Sequence, residues 1–172
     1  FIDYDGELSR VQALQNAAQA NVYGFQLGIE AKLSQSLKFF SNLNYQKGEE
    51  ELDDGTTSAS RHAAPFFGVS RLRYQFKNNL KFEFNAIYQG EQSFSNLAVS
   101  ERSKDEIYAK DANGNNYSPA WYTLNFKVFY QFNKIIGLSG GVENITDQRY
   151  RPYSSGLSGP GRNFIISLNF TL

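Results

Sequence analysis

"YTLNFKVFYQF" (Tyr122–Phe132) decides how the chain is read. Tyr122, Leu124, Phe126, Val128, Tyr130 and Phe132 fall on one side of an extended chain; Thr123, Asn125, Lys127 and Gln131 fall on the other. Side chains alternate along a strand with period two, so this segment has one apolar, aromatic face and one polar face. The pattern repeats upstream. Leu80, Phe82, Phe84, Ala86 and Tyr88 oppose Lys81, Glu83, Asn85 and Gln89. A strand opened by Pro65 sets Phe66, Leu72, Tyr74 and Phe76 against Arg71, Arg73 and Gln75. Leu37, Phe39, Leu43 and Tyr45 oppose Lys38, Asn42, Asn44 and Gln46, and Tyr23, Phe25, Leu27, Ile29, Ala31 and Leu33 oppose Gln26, Gly28, Glu30 and Lys32. Downstream, Ile136, Leu138 and Val142 oppose Ser139 and Glu143. The last strand sets Phe164, Ile166, Leu168, Phe170 and Leu172 against Asn163, Ser167, Asn169 and Thr171.

The connections between these strands alternate strictly. "SQS", "KNN" and "NK" are short; Lys47–Ala64, Gln92–Ser118 and Asn144–Pro160 are long and polar. Within each strand the charges sit opposite the aromatics. A soluble β-sandwich also alternates, but its loops need not take turns. A membrane barrel needs both features, because a charge on its lipid face costs about 2–4 kcal/mol at the bilayer midplane. Aromatic girdles are a third test. Tyr45, Phe66, Tyr88, Tyr122 and Phe164 collect at the long-loop end, and Tyr74, Phe76, Tyr130, Phe132 and Phe170 at the short-turn end. The expected fold is all-β: an antiparallel up-and-down transmembrane β-barrel segment of about seven strands, with short periplasmic turns and long extracellular loops. A soluble sandwich adhesin is the rival from another class; it would stay in solution without detergent.

Composition excludes several functions. The chain has no Cys, so it can have neither disulfides, thiolate metal sites nor a Cys nucleophile. Its 17 basic and 17 acidic residues balance, which leaves no electrostatic footprint for nucleic acid. No apolar run approaches the roughly 20 residues of a membrane helix. "FIDYDGELSR" has no signal-peptide pattern, so the leader of an exported protein would lie upstream of Phe1. No paired acid–base or nucleophile constellation is visible, and the expectation is a protein that is not an enzyme, without cofactor or resident metal.

Seven is an odd strand count, whereas bacterial single-chain barrels close with even numbers. "FIDY" then reads as the stub of an ascending strand, with Gly6–Ala20 as the loop after it and "RVQALQNAAQA" (Arg10–Ala20) as a local helical turn. An open sheet leaves two edges that lipid does not tolerate, so the expectation is a fragment.

"YGFQLGIEAKL" (Tyr23–Leu33) resembles the Gly-Phe-Glu strand opening of TonB-dependent outer-membrane receptors, with Gln26 in place of the Glu. "GGVENITDQRYRPYSSGLSGPGRNFIISLNFTL" (Gly140–Leu172) resembles their C-terminal signature: Val-x-Asn-Leu-x-Asp-x-x-Tyr, a Gly-rich loop, Pro-Gly-Arg and a closing strand. The resemblance extends over the whole chain and is most specific over Gly140–Leu172. It implies a barrel of the 22-strand type around an N-terminal plug, of which residues 1–172 form the C-terminal portion, roughly the last third, with plug and earlier strands absent. It further implies uptake of a scarce nutrient, such as a ferric siderophore or cobalamin, driven through TonB. Implied partners are outer-membrane lipid and lipopolysaccharide, the TonB complex, the barrel-assembly machinery and a small-molecule ligand. In the family the final strand closes the barrel and is read during assembly; here Phe164, Ile166, Leu168, Phe170 and Leu172 fill that role, Leu172 standing where an aromatic is the norm. A carbohydrate importer of the same architecture and a porin-like passive barrel remain as alternatives.

Candidate ligand contacts cluster near the long-loop rim. Trp121, Tyr117, Tyr122, Tyr150 and Tyr153 could form an aromatic patch, Arg149, Arg151 and Arg162 could meet an anionic chelate or lipid phosphate, and His62 is the single histidine. The competing reading is girdle, loop packing and self-pairing with acidic loops. "SGPGR" has no helix after it and reads as a type II turn, with Gly161 supplying the positive φ. "DANGNN" (Asp111–Asn116) lacks the Gly placement and final Glu of a calcium loop and reads as a solvated turn, as "EEELDD" (Glu49–Asp54) reads as a solvated charge run. "NIT" and "NYS" match glycosylation sequons by chance.

Overall fold

The computed structural model describes residues 2–9, 19–61, 63–64 and 66–171. Phe1, residues 10–18, His62, Pro65 and Leu172 lie outside them, and with them most of the expected helical turn, whose last residue Ala20 is extended, the histidine and the last residue of the closing strand.

Among the described residues twelve strands form: β1 (Ile2–Tyr4), β2 (Glu7–Ser9), β3 (Ala20–Lys32), β4 (Leu37–Glu51), β5 (Thr57–Ala59), β6 (Phe66–Lys77), β7 (Leu80–Gln89), β8 (Ala109–Lys110), β9 (Asn116–Tyr117), β10 (Trp121–Gln131), β11 (Ile136–Glu143) and β12 (Asn163–Phe170). The seven long ones pair antiparallel in the order β12-β11-β10-β7-β6-β4-β3, with β5 against β4. They are the seven segments marked by the alternation. The sheet does not close on itself: β3 and β12 are its edges among the described residues.

Each short turn is fixed locally. Ser34 Oγ accepts from the amides of Ser36 and Leu37, and Asn133 Oδ1 from those of Ile135 and Ile136 at 2.8 and 2.9 Å. These are side-chain turns of the kind Ser and Asn favour. At the third, a bulge between Gln75 and Lys77 adjusts the register.

Register sorts the side chains as the alternation requires. Phe126 pairs with Phe84, Phe84 with Leu72, Leu72 with Phe39, and Phe39 with Ala31. Burial is inverted relative to a soluble domain. On the apolar face Phe25 is 64% exposed, Phe164 75% and Ile166 80%, whereas Asn85, Thr123 and Asn125 on the polar face are 4–6% exposed. A sheet that exposes its large apolar residues and buries its amides belongs in lipid. Both aromatic belts form: Phe25 stacks on Tyr45 and Phe66 on Tyr88 at one end, and Tyr130 meets Phe132 edge-on at 4.7 Å at the other.

One polar feature sits on the apolar face. Ser41 Oγ lies 2.8 Å from Ser70 Oγ, which lies 3.2 Å from the Tyr88 hydroxyl. Each hydroxyl satisfies another, which removes most of the cost of placing them against hydrocarbon. Gly68 makes room for this: a Cβ there would meet Tyr88 at 2.8 Å.

Three details differ from the sequence reading. β4 runs five residues past Gln46, because Glu49–Glu51 pair with β5 and Glu49 and Glu50 also with Asn21 and Ala20. "FIDY" continues through Asp5 and Gly6, both left-handed (φ 59° and 84°), into a hairpin of its own rather than into a loop beginning at Gly6. Aromatics also occupy the polar face: Phe40, Phe67 and Phe129 have the register of Arg71, Asn44 and Lys81.

Candidate functional site

At the long-loop end the chain folds back over the polar face. The attachment begins with an amide ladder. Asn125 Nδ2 donates to Asn85 Oδ1 at 2.8 Å, and Asn125 Oδ1 accepts from the backbone N–H of Asn144 at 2.8 Å. Asn144, left-handed at φ 49°, is 3% exposed. Its Nδ2 donates to the carbonyls of Gln148 and Pro160, and its Oδ1 accepts from the Gln148 amide. Asp147 Oδ1 accepts from the Arg162 amide at 2.7 Å, while Arg162 Nε donates to the Ile145 carbonyl. These contacts clasp both ends of the loop between β11 and β12. They also correct the turn expected at "SGPGR": Gly161 is not left-handed, and what requires glycine is the close approach of Asp147 Oδ1, 2.8 Å from where a Cβ would stand.

A second attachment is aromatic. Tyr150 packs on Trp121 with ring centroids 4.3 Å apart. The Tyr150 ring also lies against Gly159, where a Cβ would stand 2.1 Å from it.

The loops also hold a small core of their own. Leu97 (0% exposed), Tyr108 and Tyr153 pack together with Ala64, Phe94 and Ile107. Glu101, 1% exposed, lies at its edge and accepts from Lys104 Nζ and from the Tyr108 hydroxyl at 2.7 Å. Burial opposes ionisation of Glu101, but the hydrogen bonds from Lys104 and Tyr108 outweigh it and hold the carboxyl below its ordinary value. Burial, then the hydrogen bond to Glu101, pushes the Tyr108 hydroxyl far up. A carboxylate whose value is lowered by folding adds stability above the ordinary carboxylate range and loses it as pH falls through the lowered value. The loop core is therefore expected to loosen below about pH 4, in the sense set by the Glu101 shift. Limited proteolysis between residues 95 and 108 across pH 3–7 checks this; Glu101→Gln should reduce the pH dependence to what Asp105, held low by Lys110 and Asn116, still contributes.

Between the aromatic attachment and the loop core lies a cleft of about 370 Å³. Trp121, Tyr150, Arg149, Arg151, Glu106 and Ser118 are among the residues that line it. It combines a flat aromatic surface, two guanidinium groups and several hydroxyls, a donor set suited to an oxygen-rich, anionic ligand. Arg151 Nη1 also donates to the Glu106 carbonyl at 3.1 Å.

The nine rim residues singled out from the sequence separate here. Trp121, Tyr150, Arg149 and Arg151 come together in the cleft, and Arg162 lies in the clasp. Tyr153 is 5% exposed in the loop core. Tyr122 pairs with Tyr88 on the apolar face, in the girdle. Tyr117 pairs with Ala109 in the β8–β9 hairpin. His62 lies outside the described residues. At that hairpin's tip Asp111 Oδ1 accepts from the Asn113 and Asn115 amides, which accounts for "DANGNN" as a turn. Gly159, against which the Tyr150 ring lies, was not singled out in the sequence; only the contact in three dimensions shows it.

An inside-out antiparallel sheet with girdles at both ends, and its loops clasped over the polar face, defines a piece of a membrane β-barrel. The chain belongs to the family described as TonB dependent receptor-like, beta-barrel, whose model matches residues 1–145. Solved structures with the same fold include the copper transporter OprC (17% identity, TM-score 0.69, covering 88% of this chain and 23% of that one). The FrpB iron transporter from Neisseria meningitidis is 18% identical, with TM-score 0.66 over 88% of this chain and 24% of its own. The ferric enterobactin receptor PfeA from Pseudomonas aeruginosa is 19% identical, with TM-score 0.63 over 90% and 23%. The chain thus spans less than a quarter of the length of each. The family model stops at residue 145, so the match covers the strands through β11, and the clasp and β12 follow it.

Proposed function

We propose that residues 1–172 are the C-terminal portion of the barrel of an outer-membrane TonB-dependent uptake receptor, and that the cleft beside Trp121 is part of its outer ligand surface. In this reading the apolar face meets outer-membrane lipid, the long loops and lipopolysaccharide lie outside, and the polar face lines the lumen. The ligand is a scarce nutrient of the ferric siderophore or cobalamin type, moved in by energy delivered through the TonB complex. β12 closes the barrel and is the strand the barrel-assembly machinery reads. The observation that carries the reading is the pairing of Trp121 and Tyr150 beside Arg149 and Arg151 at the long-loop end of a sheet of this family. The likeness to OprC, FrpB and PfeA, copper and iron transporters and a ferric enterobactin receptor, supports metal-linked uptake over carbohydrate import.

The test uses the intact receptor in cells. Uptake of labelled ferric enterobactin, a ferric hydroxamate, cobalamin, copper and a maltodextrin is compared with and without TonB. One ligand of the metal-linked group should need TonB, and Trp121→Ala with Arg149→Ala should weaken its binding about tenfold or more, as loss of a stacking face and a charged hydrogen bond predicts. Uptake independent of TonB would leave a passive barrel, and uptake of maltodextrin alone would make it a carbohydrate importer.

A further inference from the structure

Two strand glycines, Gly68 and Gly140, have the register of the apolar face among the described residues, and the fold treats them differently. Gly68 is covered by the Tyr88 ring, which a Cβ would meet at 2.8 Å. Gly140 is left open: a Cβ there would meet only the Ile165 carbonyl, at 3.6 Å. Its register partners are Val128 on β10 and Ile166 on β12, and Ile166 is 80% exposed.

The missing side chain leaves a groove of about 500 Å³ along β11, walled by Phe126, Val128 and Tyr130 on one side and by Phe164 on the other. No charged residue lines it. It runs from Tyr130, in the short-turn girdle, to Phe164, in the long-loop girdle, and so lies within the hydrocarbon. A strand added beside β12 would extend the sheet sideways and leave the groove over β11 open.

The outer end of the groove carries a charge. Arg162, two residues before Phe164 and so about 7 Å away along the chain, is exposed. Its Nε is held by the Ile145 carbonyl at 3.0 Å. Asp147 accepts from the Arg162 amide, not from the guanidinium, which among the described residues has no carboxylate within ion-pair distance. A guanidinium oriented by one N–H, with its terminal nitrogens unpaired, is a fork for phosphate.

Together these observations select the occupant. A slot within hydrocarbon takes a chain without hydrogen-bonding groups, because an unsatisfied polar group there is costly. An unpaired cation at the girdle level takes a lipid anion. Resting on the outer-membrane reading above, we infer that β10–β12 hold a specific lipid site: one acyl chain of a phosphorylated outer-leaflet lipid lies in the Gly140 groove, with its phosphate on Arg162. The site is on the outer wall, separate from the cleft beside Trp121 and from the transported nutrient.

The test purifies the intact receptor in mild detergent and counts bound lipid by native mass spectrometry after adding lipid A or phosphatidylcholine. Wild type should retain one lipid A that Gly140→Leu binds about tenfold or more weakly, since leucine fills the slot. Arg162→Gln should lose the preference for lipid A over phosphatidylcholine, again about tenfold, as loss of a charged hydrogen bond predicts. Heat-modifiable gel mobility establishes folding; if the leucine variant fails there, Gly140→Ala and Gly140→Val are read, with retention falling as the side chain grows. Unchanged lipid A retention in the folded variants overturns the inference. So does a wild type that holds phosphatidylcholine as tightly as lipid A, or one that is dimeric only while Gly140 is kept, since the groove then seats a second copy. Uptake in cells with and without TonB separates the two readings: uptake independent of TonB sinks the receptor reading and leaves the lipid counts standing, whereas TonB-dependent uptake with unchanged counts sinks the lipid site alone.

Discussion

Phe126→Arg in the intact receptor is expected to remove about 2–4 kcal/mol of barrel stability, enough to abolish assembly at ordinary expression levels. Phe126 lies halfway along β10, between Tyr122 in one girdle and Tyr130 in the other, and stacks on Phe82 at 6.1 Å. An arginine there faces hydrocarbon at the depth where snorkelling to either interface is longest. The neighbouring Lys127→Gln is the matched control. Lys127 faces the lumen and pairs with Glu143, 39% exposed, so its loss should cost about 1 kcal/mol or less. Heat-modifiable mobility and urea unfolding in lipid vesicles read both variants. Equal tolerance of Arg at 126 and Gln at 127 would sink the assignment of faces and, with it, the membrane reading.

That assignment was legible in the sequence because a two-sided environment leaves a period-two record. Every strand from β3 to β12 that crosses the bilayer alternates, and the register joining Phe126, Phe84, Leu72 and Phe39 turns seven separate patterns into one face. The loop architecture left no such record. Leu97 and Ala98 are fully buried, yet they sit in a polar stretch and are covered by Tyr108 and Tyr153 from other parts of the chain. No local period links residues brought together by three loops. The aromatics on the polar face were missed for a related reason: Phe40 and Phe129 gain cationic partners, Arg73 and Lys81, only once the strands are paired. For the site, residue type marked Trp121, Arg149 and Arg151 as rim candidates, and they line one cleft. It could not separate them from Tyr122, one residue on and therefore on the opposite face, or from Tyr153, which the loop core takes up.

The clasp gives the C-terminal signature a physical account, and its central residue carries the second large expected effect. Asn144→Ala should destabilise the loop between β11 and β12 by about 3 kcal/mol. Removal of the amide leaves the Gln148 N–H and the Gln148 and Pro160 carbonyls without their partners, at a site where the side chain is 3% exposed. Leaving buried groups unsatisfied costs about 1–3 kcal/mol each time it cannot be repaired by water. The backbone adds to this: at φ 49° asparagine is tolerated, whereas alanine is disfavoured by roughly 1–2 kcal/mol. Asn144→Gly separates the two contributions, because glycine accepts the left-handed backbone but lacks the amide; it should recover about 1 kcal/mol relative to alanine. Since Asn125 binds the Asn144 backbone and Tyr150 is held on Trp121 by the same loop, the cleft should open as the clasp fails. Protease cutting between residues 145 and 160 should rise in the order wild type, Asn144→Gly, Asn144→Ala, and on the proposed function ligand affinity at the cleft should fall in that order. An alanine variant as resistant to cutting as wild type would show that the loop is held by Asp147 and Arg162 alone, with Asn144 a bystander at the end of its strand.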